Sequence, residues 1–334
     1  MKNFRRAPVR LIMIALLATA MGAAHAADAA LNLYVSPNGD DSAPGTSESR
    51  PLKSLGRALA AYQSDCNARP SRIVLAGGSY GNEQATLRSA PCPLVISSAS
   101  GQATFDGGGN GQWLTLALPG AKMVDVTITG MNITNYQSAI SINGNRNDPQ
   151  GWIGGIKIVK NRFSHIGSFR ADQPPATAAV RLVNARSVII EGNEFETIRN
   201  VTHCGGLHSV YIAHHSTENR IVGNSFVDGC GETIKVRDSS DSNLVERNRF
   251  ERQEGSALFL DSYCDASAGG ECTKAEPECP SWNNVFRDNT IVGVRPDSNK
   301  KTTGSRKAAR ALPANCAAPR GAERMREERG SSTR

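Results

Sequence analysis

Residues 207–261 read LHSVYIAHHSTENRIVGNSFVDGCGETIKVRDSSDSNLVERNRFERQEGSALFLD. Val210 and Ile212 are followed 24 residues later by Ile234 and Val236, and 24 later again by Leu258 and Leu260. Asn224-x-Phe226 is followed at the same interval by Asn248-x-Phe250. A unit this short has no room for a βαβ crossover with its helix, so it reads as one coil of a solenoid. Alternation at period two puts the six aliphatic residues on one face of their strands and turns their neighbours outward. Equivalent residues of successive coils then stack about 4.8 Å apart, the spacing of adjacent strands.

The Asn-x-Phe segment recurs more widely. Asn161, Asn193, Asn224, Asn248 and Asn289 each close a similar apolar stretch, at intervals of 32, 31, 24 and 41. The longer intervals read as coils with inserted loops. Asn tolerates left-handed backbone and suits a coil corner. Stacked amides would bond along the column, and the Phe two residues on would enter the core. A β-sandwich or propeller also has many short strands, but propeller blades repeat at roughly 40–50 residues. The pattern therefore predicts an all-β, single-stranded parallel β-helix.

Residues 1–26 read as an export signal: Lys2, Arg5, Arg6 and Arg10, then LIMIALLATAMG, then Ala24-His25-Ala26. The apolar run is too short for a permanent span, so a secreted or periplasmic, bacterial protein without stable membrane insertion is expected. The formal charge of +7 misleads. The signal carries four cations and no anion, residues 296–334 carry ten cations against four anions, and 27–295 are left at −3. A mildly acidic body with no nucleic-acid motif argues against nucleic acid as partner. The β-helix domain is expected over 27–295. The basic segment 296–334, poor in apolar residues, is expected to be a disordered tail, native or the end of a truncated frame. Eight cysteines in an exported chain favour disulfides. Cys66 with Cys92, and Cys204 with Cys230, are natural pairs; two of Cys264, Cys272 and Cys279 pair, leaving one for Cys316 or free. A zinc site of Cys204, His203 and His208 is the weaker alternative.

Residues 31–62 resemble the opening of secreted right-handed β-helix proteins of the pectate-lyase-like superfamily. The match rests on Tyr34-Val35-Ser36, Gly39, Asp41, Pro44-Gly45-Thr46, Pro51-Leu52 and Ser54-Leu55, with Phe105-Asp106-Gly107 further on. The resemblance implies a right-handed helix whose first coil is covered by a short amphipathic capping helix. Such a cap protects an apolar end from association.

A β-helix binds ligands along the outside of one sheet. Stacking at 24 gives outward columns Arg181–Tyr211–Lys235–Phe259 and Ala213–Arg237–Asp261. His208–Glu232–Ser256 line the strand entrances and His214–Asp238–Ser262 the exits. Such a patch suits an acidic polysaccharide. Lys235, Arg237 and Arg181 would neutralise a uronate carboxylate, with Lys235 and Arg237 first for base chemistry. Tyr211 or His208 would protonate the leaving oxygen. Phe259, Glu232, Asp238, Asp261 and His214 complete the expected substrate contacts. The bland reading is an outward ladder of salt bridges, Arg237 with Asp261 and Lys235 with Glu232.

The coil GETIKVRDSS also resembles the catalytic coil of alginate lyases and chondroitinase B, where Glu-x-Ile-x-x-Lys-Ser supplies a base and Leu-Arg-His-Gly its partner. Glu232 and Ile234 match; Arg237 stands at the Lys position, and Leu260-Asp261-Ser262 replaces the Arg step. The expectation is a monomeric, carbohydrate-active protein cleaving by β-elimination. A glycoside hydrolase using Asp238 and Asp261, or a non-catalytic glycan-binding protein, is the alternative. No cofactor is expected, calcium being the one ion left open.

Overall fold

The computed structural model describes residues 30–98, 103–264, 278–293, 301–305, 316, 318–328 and 332–333; the expected signal at 1–26 lies outside them. The chain winds as a right-handed parallel β-helix, each coil giving one strand to each of three sheets. The first sheet runs from Leu31–Val35 through Ser71–Leu75 and Leu94–Ser98 to Met325–Glu327. The second runs from Ala85–Leu87 through Gln112–Ala117, Ser138–Asn143, Ala178–Val183, His208–Ala213, Ile234–Arg237 and Ala257–Ser262 to Lys301–Ser305. The third runs from Gly78–Tyr80 to Ser332–Thr333. The pairings that define the 24-residue coil are parallel, with Val210 opposite Ile234 and Ile212 opposite Val236.

The expected Asn column forms. Asn161, Asn193, Asn224 and Asn248 each donate the side-chain amide to the next carbonyl oxygen, ending at Asn289, at 3.0–3.2 Å. A second buried column links Asn219, Asn243 and Asn284. The left-handed corner lies one residue earlier than the sequence suggests: Lys160, Gly192, Gly223, Arg247 and Asp288 have φ of 53–64°. The Asn side chain turns inward and bonds the buried backbone of its own and neighbouring coils. Inside, Phe163, Phe195, Phe226 and Phe250 stack with centroids 4.9–5.0 Å apart.

Each ladder amide both donates and accepts. Asn224 accepts from Asn193 N and Nδ2 and donates to Ile190 O and Asn248 Oδ1. Asn224→Ala leaves these buried groups unpaired and is expected to lower stability by about 3 kcal/mol or more. The exposed Asn147→Ala should stay within about 0.5 kcal/mol. Urea-unfolding midpoints compare them, and equal midpoints would remove the ladder from the account.

The helix Leu55–Asp65 closes the first coil, burying Leu55, Ala58, Leu59, Ala61 and Tyr62. Ser54 caps it, accepting from Arg57 N at 3.1 Å, and Asp41 in turn accepts from Lys53 N and Ser54 N. Tyr62 Oη donates to Cys92 O, beside the Cys66–Cys92 disulfide that pins the cap. Cys204–Cys230 and Cys279–Cys316 are also bridged, and Cys264 is disulfide-bonded; Cys272 lies outside the described residues. These bridges fit an oxidising compartment. The Cys204 bridge also overturns the zinc alternative. No helix of the described residues is long and apolar enough to cross a membrane.

Two expectations need correction. The tail is not wholly without structure: Lys301–Ser305 pairs with Ala257–Asp261, Met325–Glu327 with Asn284–Phe286, and Ser332–Thr333 with Thr290–Ile291. Ladder bonds are made by backbone and need no apolar pattern. The 24-residue register also breaks after Arg237. Ile234 lies opposite Phe259 and Val236 opposite Asp261, a step of 25. Gly255 passes so close to the Gly231 backbone that a Cβ would lie 1.8 Å from its carbonyl oxygen. Phe259 and Asp261 therefore point into the core, each fully buried. Neither contacts a ligand on the outer face, and Asp261 cannot join Asp238 as a hydrolase pair.

Candidate functional site

The loops that leave the second sheet wall a cavity of about 420 Å³ lined by Asn143, Gly144, Arg146, Thr177, Arg181, Val183, Tyr211, His214 and Arg237. The strands set its floor. Ser141, Arg181, Tyr211 and Lys235 occupy one outward column, and Asn143, Val183, Ala213 and Arg237 the next. The expected neighbours Arg181, Tyr211, Arg237 and His214 thus meet, joined by Arg146, which no periodicity marks.

Arg181 is half-buried and, among the described residues, donates only to neutral oxygens, Ser141 Oγ at 3.1 Å and Asn143 Oδ1 at 3.4 Å. Burial lowers its pKa, and Arg146 nearby adds to that effect. Tyr211 is 8% exposed. Burial raises its pKa, and the nearby Arg237 charge only partly offsets this. Arg237 is otherwise committed. Its Nε donates to Glu278 Oε2 at 2.5 Å and its Nη2 to Cys264 Sγ at 2.7 Å. The Arg237–Asp261 bridge of the bland reading gives way to Arg237–Glu278 and Arg324–Asp261. Glu278 lies 41 residues beyond Arg237 in an insertion, where stacking at 24 has no reach.

His214 and His215 take left-handed φ of 52° and 63°, as do Asp238 and Ser239 one coil on. Backbone bonds from His214 N to Arg237 O and from His215 N to Asp238 O hold this unusual corner. It brings His214 Nδ1 to 2.8 Å from Asp238 Oδ2. Burial pushes the Asp238 carboxyl up, but the His214 hydrogen bond and charge outweigh it and leave it below its ordinary value.

His208 and Lys235 do not line the cavity. His208 is 2% exposed and stacks on the Tyr211 ring, centroids 5.6 Å apart. Its Nδ1 lies 2.8 Å from Glu232 O. Burial first, and then the Lys235 charge, lower its pKa to about 3. At neutral pH it is uncharged and has no imidazolium proton to give, contrary to its expected role as acid. Glu232 accepts from Ser256 Oγ at 2.7 Å, forming the expected entrance column away from the cavity.

His214, Asp238 and Glu278 each offer a ligand atom, all within 4.8 Å of one another. One nitrogen and two carboxylates are a partial set for a divalent cation, whereas calcium prefers six or more oxygens. Ordinary pairing already engages them, Asp238 with His214 and Glu278 with Arg237.

A family profile covers residues 37–307, from the loop after the first strand to just past Lys301–Ser305. The chain belongs to the DUF1565 family, described as proteins of unknown function. No curated protein matches it. Among solved structures it is similar to an alginate lyase from Paenibacillus sp. str. FPU-7, at 15% identity and TM-score 0.53, over 82% of this chain and 80% of that one. A GH136 lacto-N-biosidase from Eubacterium ramulus matches at 11% identity and TM-score 0.42, over 82% and 66% of the two chains. A rhamnogalacturonan lyase matches at 10% and 0.42, over 81% and 84%. At these identities the likeness is one of fold.

Proposed function

We propose that this DUF1565 protein is a carbohydrate-active enzyme that cleaves an acidic polysaccharide by β-elimination in the Arg181–Tyr211–His214 cavity. The observation that carries the reading is Arg181, a half-buried guanidinium that among the described residues has only neutral hydrogen-bond partners and faces the same cavity as a phenol and an imidazole. A uronate carboxylate against Arg181 and Arg146 supplies the missing anion, and neutralising it acidifies the adjacent C5–H. With Nδ1–H donated to Asp238, His214 presents Nε2 as the base that takes this proton. Tyr211 Oη gives its proton to the glycosidic oxygen as the C4–O bond breaks and the C4=C5 double bond forms. Arg237, already neutralised by Glu278, lies beside Tyr211 in the cavity wall and does not bind the carboxylate. The base thus moves from Lys235 to His214. The likeness to a solved alginate lyase supports the reading at the level of fold.

The test is ultraviolet absorbance of unsaturated uronate while folded mature protein is incubated with alginate, pectate, chondroitin and hyaluronan. Growth on at least one is expected, with loss in His214→Ala. A flat trace on all four, from protein that binds one of them, would replace the lyase with a binding protein.

A further inference from the structure

The cavity does not end at Arg146. A second groove of about 720 Å³ adjoins it, sharing Asn143 and Gly144, and its lining includes Arg88, Lys122, Gln150 and the turn Ala117–Ala121. Gly144 forms the saddle between them. A Cβ there would lie 2.3 Å from Asn184 O and 2.8 Å from Gly151 O, so the saddle admits only glycine. The cations leave the exit edge of the second sheet in coil order. Arg88 follows Ala85–Leu87, Lys122 follows Gln112–Ala117, Arg146 follows Ser138–Asn143, and Arg181 lies on the next strand. Among the described residues none of these four is ion-paired with a carboxylate. On the other two sheets Arg162, Arg186, Arg249 and Arg287 are each held by a glutamate. The groove itself contains one carboxylate, Asp148, which accepts from Gln150 N.

We infer that Arg146, Lys122 and Arg88 form an extended subsite track that binds further acidic sugar units of the same polymer, running from the cavity toward the N-terminal coils. It rests on the acidic-polysaccharide reading of the cavity and adds the direction and length of the bound chain. Coils about 4.8 Å apart present roughly one cation for each sugar residue laid along the axis. A row of exposed cations gives recognition that salt screens.

The test compares Arg88→Gln/Lys122→Gln with the unaltered protein. Binding of alginate and polygalacturonate is measured by calorimetry, as short oligomers and as polymer, at low and high salt. Neither residue belongs to the catalytic group, and both are remote from the core, so circular dichroism should be unchanged. The double variant is expected to lose roughly tenfold in affinity for polymer, with a shallower salt dependence, and to keep its affinity for oligomers short enough to fill the cavity alone. Unchanged polymer affinity, or equal losses on oligomer and polymer, would overturn the track. Because the readout is binding, the two proposals fail separately. Polymer that binds with the expected length dependence and is never cleaved removes the lyase and leaves the track. Polymer cleaved with no length dependence removes the track and leaves the lyase.

Discussion

Tyr211→Phe is expected to cut turnover of the acidic polysaccharide by about 10²- to 10⁴-fold, the usual weight of a positioned general acid, with little change in substrate affinity. The substitution removes only an oxygen. The ring keeps its place against Ala178 and Ala213 and its stack on His208, so the sheet is not perturbed. Arg237 retains Glu278 and Cys264. The loss should therefore fall on kcat and leave KM, whereas Arg181→Ala should raise KM by removing a charge that binds the carboxylate. The pH profile adds a second readout. A general acid works while protonated, so the rate falls as pH rises through its pKa. Burial sets that pKa above the ordinary tyrosine value despite Arg237, so the alkaline limb should lie above the ordinary tyrosine range. A Tyr211→Phe enzyme with unchanged kcat would take the proton-donor role away from this residue.

The parts of this site that the sequence announced are those whose geometry follows from the repeat. Tyr211 opposite Lys235, Ala213 opposite Arg237 and His214 beside Asp238 all lie within coils of 24 residues, where stacking by number is the same as stacking in space. The Asn ladder was legible for the same reason. Phe259 and Asp261 were misplaced because one extra residue slips the next strand. Leu258 and Phe259 are both apolar, so hydrophobicity does not distinguish the two registers, and only the close approach of Gly255 to Gly231 sets them apart. Arg146 and Glu278 sit in insertions, whose lengths carry no phase. Yet they change the chemistry most: Glu278 takes Arg237 out of substrate binding, and Arg146 adds a cation beside Arg181. His208 was misjudged for another reason. Its spacing matches an outward entrance column, but it is buried against the Tyr211 ring, and burial removes the charge its role required.

The slipped register also creates the second large effect. Asp261 occupies a core column with Ile212 and Val236, its side chain fully buried. Arg324, which sequence reading placed in a disordered tail, reaches back to it with Nε 2.7 Å from Oδ2, and Nη2 bonds the same oxygen. The guanidinium also lies over the rings of Tyr263 and Trp282, 5.1 and 5.5 Å from their centroids. Arg324→Ala leaves a buried carboxylate without its cation and is expected to cost on the order of 3–5 kcal/mol. Asp261→Leu/Arg324→Met removes both charges and should recover most of that loss, because a buried pair is about as stable as an apolar isostere. Burial raises the Asp261 pKa to about 6, against the lowering by Arg324. The folded state therefore holds this proton more tightly than the unfolded chain, whose carboxyl titrates near 3.8. This contribution to stability is complete below the unfolded value and is lost as pH rises to about 6. Without Arg324 the folded pKa rises further and the loss extends to higher pH, while the Leu/Met pair removes the dependence altogether. Urea midpoints at several pH values test this. A pH-independent Arg324→Ala defect, or a double variant no better than the single, would show that Arg324 supports the last coils through its ring contacts and not by compensating a buried charge.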